Sequence, residues 1–187
     1  MSSSAAQTAN FDTIAAIATG SSLAAIGIIR LSGPEAIAVL DRVFVPAHGG
    51  SMAGREDRKL VYGRLLDRGG ETLDLCLATV SRGPASYTGE DTAELQCHGS
   101  PTVLREGLLS LFAAGARQAK AGEFTRRAFL NGRMDLVQVE AVIDLIDAQT
   151  PQAARLAASQ LDGAVSRRTE AVYDSLTAIC SHYHAVL

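Results

Sequence analysis

Lysine is scarce in this sequence: it occurs only at Lys59 and Lys120, against fifteen arginines, and the net charge is −3. That balance excludes a global electrostatic pull toward nucleic acid and leaves room only for a local arginine patch. Cysteine is equally sparse. Cys76, Cys97 and Cys180 lie far apart and form no C-x-x-C, a pattern that favours reduced thiols and the cytosol. No apolar run approaches the ~20 residues that a membrane-spanning helix needs. The opening "MSSSAAQTANF" has no basic segment followed by an apolar one, so it predicts no signal peptide but a disordered tail over 1–10 and a cytoplasmic, membrane-free protein. Internal repeats are missing too. What remains is ordinary for a globular chain: 187 residues, 47% apolar and 20% charged, enough for one domain plus part of a second and for a core without covalent staples.

The chain changes character near residue 122. Before it, short β-like runs alternate with helical ones. "DTIAAIA" (12–18) and "AIGIIRLS" (25–32) read as strands. Ser32 and Glu35 stand at capping-box spacing, with Pro34 in the first turn, which predicts a helix to about Phe44. A loop over 45–58 precedes a hairpin, "KLVYGRLLD" and "TLDLCLATV" around "RGGE". A second loop, "RGPASYTG", leads to a strand over 90–98, a helix from Pro101 to near Gly115, and a last strand in "ARQAKAG". Beyond 122 everything reads helical, with Gly132 suited to a helix end, Asp135 and Gln138 to a cap, and Thr150-Pro151 to another start. A 3–4 spaced stripe from Ala154 through Val186 predicts one helix of roughly 35 residues in want of a partner. The expected fold is therefore α+β, a mixed or antiparallel sheet with helices over 11–121, followed by an all-α segment over 122–187 that ends in one long helix.

"GEDTAELQCHGSP" (89–101) is the stretch richest in chemistry. Period two sends Thr92, Glu94, Gln96 and His98 to one face of a strand and the small apolar Ala93, Leu95 and Cys97 to the other. The polar row admits three readings. It is a solvated sheet face, a metal cluster, or a pocket wall where Glu94 accepts paired hydrogen bonds from a planar donor edge. Against the metal reading, His98 and Cys97 leave a strand on opposite faces, and His48, His182 and His184 have no recognised spacing. No G-x-S-x-G turn supports a nucleophilic triad. Arg30 sits in an otherwise apolar strand, where it needs a partner or a route to water. Arg133 falls between two helices. Arg126-Arg127 and Arg167-Arg168 read most simply as exposed helix faces.

"SYTGEDTAELQCHGSP" and "GEFTRRAFLNGRMDLVQVEAVIDLIDAQT", with "GIIRLSG" before them, resemble the tRNA modification GTPase family called MnmE or TrmE. The resemblance covers its N-terminal folate-binding domain and the first part of its helical domain. It implies binding of a reduced folate such as 5-formyltetrahydrofolate through positions matching Arg30, Glu94 and Arg133. It implies a homodimer made through the same domain. It also implies a role, with tRNA and the FAD- and NADH-dependent partner MnmG (GidA), in aminomethyl-type modification of wobble uridine. Arg133 stands where the family commonly carries lysine. A pterin presents an amino group and a ring N–H side by side, a donor pair that suits a carboxylate, and its anionic glutamyl tail suits arginine. GTP, Mg and K would belong to a G domain, yet no G-x-x-x-x-G-K-[ST] occurs here. The expectation is thus a binding portion with no GTPase turnover and no catalytic residue of its own. A stand-alone folate-dependent one-carbon transferase using Glu94 and His98, and a ligand-free dimerisation scaffold, are the rivals.

Overall fold

A computed structural model describes residues 12–20 and 22–186, so the expected tail over 1–10 lies outside the described residues. These residues form two compact units, one ending at Ala128 and the other beginning at Phe129. In the first, strands β1 (Ile14–Ile17), β2 (Ala24–Ser32), β3 (Phe44–Pro46), β4 (Val61–Leu66), β5 (Thr72–Ser81), β6 (Thr92–Gly99) and β7 (Arg117–Gln118) make one sheet of order β3-β4-β5-β6-β2-β1-β7. Neighbours are antiparallel except β1 and β7, which run parallel. The sheet is mixed, and the α+β class holds.

Helices α1 (Ala36–Val43) and α2 (Pro101–Ala113) cover one face of this sheet. Alternation along each strand supplies the core. Ile29 and Leu31 of β2, Leu65 of β4, Ala78 and Val80 of β5, and Ala93 and Leu95 of β6 are all essentially inaccessible to water. The odd-numbered residues of β6 thus face inward, as the sequence pattern requires. The even-numbered residues, with Arg30, Thr79 and Tyr62, lie on the opposite face.

Two close approaches shape the sheet's edge. A Cβ on Gly63 of β4 would sit 2.4 Å from the Val45 carbonyl oxygen and 2.5 Å from the Phe44 ring. Because one obstacle is backbone, the strain cannot be relieved by a rotamer change. Gly63→Ala is expected to cost about 1–3 kcal/mol, read as a lower midpoint in urea unfolding. A change below about 0.5 kcal/mol would show that β3 moves aside freely.

The predicted capping box at Ser32 and Glu35 is not formed. Ser32 ends β2, its hydroxyl engages Thr88 and Glu90, and α1 starts at Ala36 with no side-chain cap at Glu35. A strand residue with two buried partners has no reason to turn back onto a helix end.

The second unit continues from α3 (Glu123–Leu130), whose first residues belong to the sheet unit. Gly132, at φ +69°, closes α3. Asp135 and Gln138 form a complete capping box on α4 (Leu136–Asp147), and Thr150 Oγ1 caps α5 (Pro151–Leu161) at the Ala153 N–H. Ala141 and Ala157, both buried, let α4 and α5 approach closely. The chain ends in the 23-residue helix α6 (Ala164–Val186). The predicted single helix from Thr150 is corrected here. Asp162 terminates α5, and Gly163 adopts φ +81°, a left-handed conformation that ends a helix at little cost for glycine. Among the described residues, no helix is long and apolar enough to cross a membrane.

Candidate functional site

The register of three strands sets Arg30 (β2), Glu94 (β6) and Thr79 (β5) side by side on the face away from the helices. Arg30 lies there because its neighbours Ile29 and Leu31 occupy the core side. Its Nε donates to Glu94 Oε1 at 2.7 Å, and both side chains are partly buried, 32% and 26% exposed. Two of the sequence-predicted site residues therefore meet directly. The third, Arg133, is carried by the second unit, exposed in the turn between α3 and α4.

Aromatic rings complete this corner. The Arg30 guanidinium carbon lies 5.5 Å from the centre of the Tyr87 ring and 5.9 Å from that of Phe124. Each contact is worth about 0.5–1 kcal/mol where water has access. The Tyr87 hydroxyl is held by Thr125 at 3.0 Å. Beside Glu94 opens a cavity of about 340 Å³, walled by Arg58, Leu60, Thr79, Ser81 and Tyr87 among others. Arg58 takes φ +62°, a left-handed conformation uncommon outside glycine, and is pinned by its N–H to Val80 O and by its guanidinium to Ala85 O. Thr79 Oγ1 is buried and finds no hydrogen-bond partner among the described residues.

Sequence reasoning passed over Arg58, Thr79, Tyr87 and Phe124. Tyr87 and Phe124 stand inside the quoted "SYTG" and "GEFT" stretches, so a signal existed. Nothing in the sequence marked Thr79 beyond its alternation in β5, or Arg58 in its loop.

His98 does not join this group. It lies four residues beyond Glu94, about 13 Å along the strand, at a separate hollow of about 200 Å³ lined by Ile26, Tyr62 and Leu75. Its Nδ1 is 2.7 Å from Asp74 Oδ1. Glu94 and His98 therefore face different ligand positions and are too far apart to share one proton-transfer step.

Behind Tyr87 a buried ion network fixes the loop over 82–91 and the start of α3. Arg127 is not the exposed helix residue that the sequence predicts: it is 1% exposed, while its neighbour Arg126 faces solvent. Its guanidinium meets Glu90 at 3.1 Å, Glu123 at 3.2 Å and the Asp12 carbonyl at 2.8 Å. Glu90 also accepts from Ser32 at 2.7 Å, so strand, loop and helix converge on one cation. Arg117 grips Glu123 at 2.6 Å and Asp12 from the other side.

These contacts hold the Glu123 carboxyl down at about 2, against an ordinary value of 4.5, chiefly through the Arg117 hydrogen bond and the Lys120 N–H. Asp12 is lowered as well, first by its hydrogen bond to Arg117. A carboxylate depressed in the folded state stabilises above its unfolded value and loses that contribution as pH falls. The window is therefore pH 4.5 down to about 2. Stability is expected to drop there by roughly 2–3 kcal/mol from Glu123, measured by urea unfolding across that range. Glu123→Gln should flatten this part of the profile; an unchanged slope would remove Glu123 as its source.

Residues 13–133 match the sequence model of the GTP-binding protein TrmE N-terminus, and residues 136–187 match that of the MnmE helical domain, so the chain belongs to the TrmE/MnmE family. It is 47% identical over 174 residues to the tRNA modification GTPase MnmE of Symbiobacterium thermophilum, covering 93% of this chain and 38% of that protein. Against the tRNA modification GTPase MnmE of a Roseiflexus species it is 48% identical over 165 residues, covering 88% of this chain and 35% of the relative. The protein of the same name from Xanthomonas campestris is 46% identical over 175 residues, 94% of this chain and 38% of the relative. The chain thus spans little more than a third of the length of these relatives.

Proposed function

We propose that this chain binds a reduced one-carbon folate, 5-formyltetrahydrofolate or a close relation, and pairs with a second copy of itself. In this reading residues 11–121 form the folate-binding and dimerisation domain and residues 122–187 the first part of the helical domain. The observation that carries it is the Arg30–Glu94 pair at a cavity with an aromatic wall. The residues suit the ligand. Glu94 accepts from the amino and ring N–H edge of a pterin, Tyr87 offers a flat apolar surface, and Arg30 and Arg58 are cations for an anionic tail. When bound, the folate supplies a one-carbon unit. The protein groups bind and orient it.

Dimerisation is supported by the sheet face away from α1 and α2, where Ile26 and Tyr62 are more than half exposed. In the whole protein the activity served would be wobble-uridine modification of tRNA with the partner MnmG, in the cytoplasm. GTP hydrolysis would need a phosphate-binding loop, and this sequence contains none. Titration calorimetry with 5-formyltetrahydrofolate is the test. Saturable heat is expected; no heat from folded protein would favour the ligand-free scaffold. Loss of the one-carbon unit from the folate in the presence of this chain alone would favour the transferase.

A further inference from the structure

We propose that Asp74, Cys76 and Cys97 bind a thiophilic divalent cation of the zinc class, which ties strand β5 to strand β6. Asp74 and Cys76 are two residues apart on β5. Cys97 faces Cys76 one step beyond the Leu77–Gln96 pair. One carboxylate oxygen and two sulfurs all lie within 4.8 Å of one another. Tetrahedral zinc, with bonds of about 2.3 Å to sulfur, holds ligands roughly 3.5–3.8 Å apart, so closing the site needs shifts of about an ångström.

The carboxylate is what separates this cluster from an ordinary pair of core thiols. Cys76 and Cys97 are 4% and 2% exposed, which is common for cysteine. The Asp74 side chain is only 9% exposed and meets no lysine or arginine among the described residues. Three donors hold it in place: the His98 N–H at 2.8 Å, the Leu75 N–H at 2.8 Å and the His98 ring at 2.7 Å. Metal-ligating carboxylates are oriented by such outer hydrogen bonds. Two sulfurs and one oxygen select a borderline-soft cation over magnesium or calcium.

Binding is a proton exchange. The two S–H groups release two protons to solvent as two metal–sulfur bonds form, while Asp74 adds a carboxylate oxygen and water takes the fourth position. Because both sulfurs must lose their protons to bind, affinity falls as the solution is acidified.

The test uses the reduced, chelator-stripped chain carrying Cys180→Ser, which removes the exposed thiol. Cobalt(II) titration should give one equivalent with a thiolate-to-metal charge-transfer band that zinc bleaches. Cys97→Ala should lose the band, and His98→Ala should weaken binding by about 10- to 100-fold through the orientation of Asp74. If Cys97→Ala does not fold, alkylation of the unaltered chain in urea near its unfolding midpoint, where the buried thiols become accessible, decides: zinc should shield Cys76 and Cys97 while Cys180 still reacts. No band from folded protein, a band that survives Cys97→Ala, or equal alkylation with and without zinc would each overturn the proposal.

Discussion

Arg127→Ala should lower the unfolding free energy of the sheet unit by about 3–5 kcal/mol. The guanidinium is 1% exposed, and Glu90 and Glu123, its carboxylate partners, have side chains 13% and 8% exposed. Truncation leaves Glu90 without its cation at a site with little access to water and takes one of two arginines from Glu123, which keeps Arg117. The loss from a missing partner exceeds what the intact pair contributes, because the desolvation of the remaining charges is no longer offset. A native domain has only 5–15 kcal/mol in hand, so the substitution removes a large part of it. Urea unfolding should show a lower midpoint with an unchanged slope. Arg127→Lys should recover only part of the loss, since one ammonium cannot reach Glu90, Glu123 and the Asp12 carbonyl together. A loss under 1 kcal/mol would mean that the carboxylates find water or each other's protons, and the network would not be what seats the loop.

Glu94→Ala is expected to weaken 5-formyltetrahydrofolate binding by about 1.5–3 kcal/mol, roughly 10- to 150-fold in Kd. The fold should suffer much less, because Arg30 keeps 32% exposure and its stacking on Tyr87. Binding and stability therefore separate in this variant, whereas Arg127→Ala disturbs both. Calorimetry beside a melting curve reads the difference. Equal affinity for both proteins would take Glu94 out of the site and leave its contact with Arg30 as a stabilising pair alone.

How much of this was legible in the sequence differed from element to element. The register of β6 was readable because Ala93, Leu95 and Cys97 can only face a core, which turns Glu94 outward. The caps at Asp135 and Thr150 were readable because each is a local pattern of four residues. The box at Ser32 was a local pattern too, and it failed because distant partners, Thr88 and Glu90, won the hydroxyl. Gly163 hid inside a stripe that continued in phase on both sides of it. Arg127 looked like surface because Glu90 lies 37 residues away and Asp12 lies 115. The cluster at Asp74, Cys76 and Cys97 needed the pairing of β5 with β6 before any spacing rule could find it.

The sheet's two borders have a consequence for how copies of this protein meet. β3 has three residues and stops at a proline, and β7 has two, one of them Arg117, whose charge is tied up in ion pairs. Neither rim offers the run of free amides and carbonyls that would template an added strand, so fibril-like stacking edge to edge is blocked at both ends. Among the described residues of the sheet, what remains open to a second copy is its flat side rather than its rims.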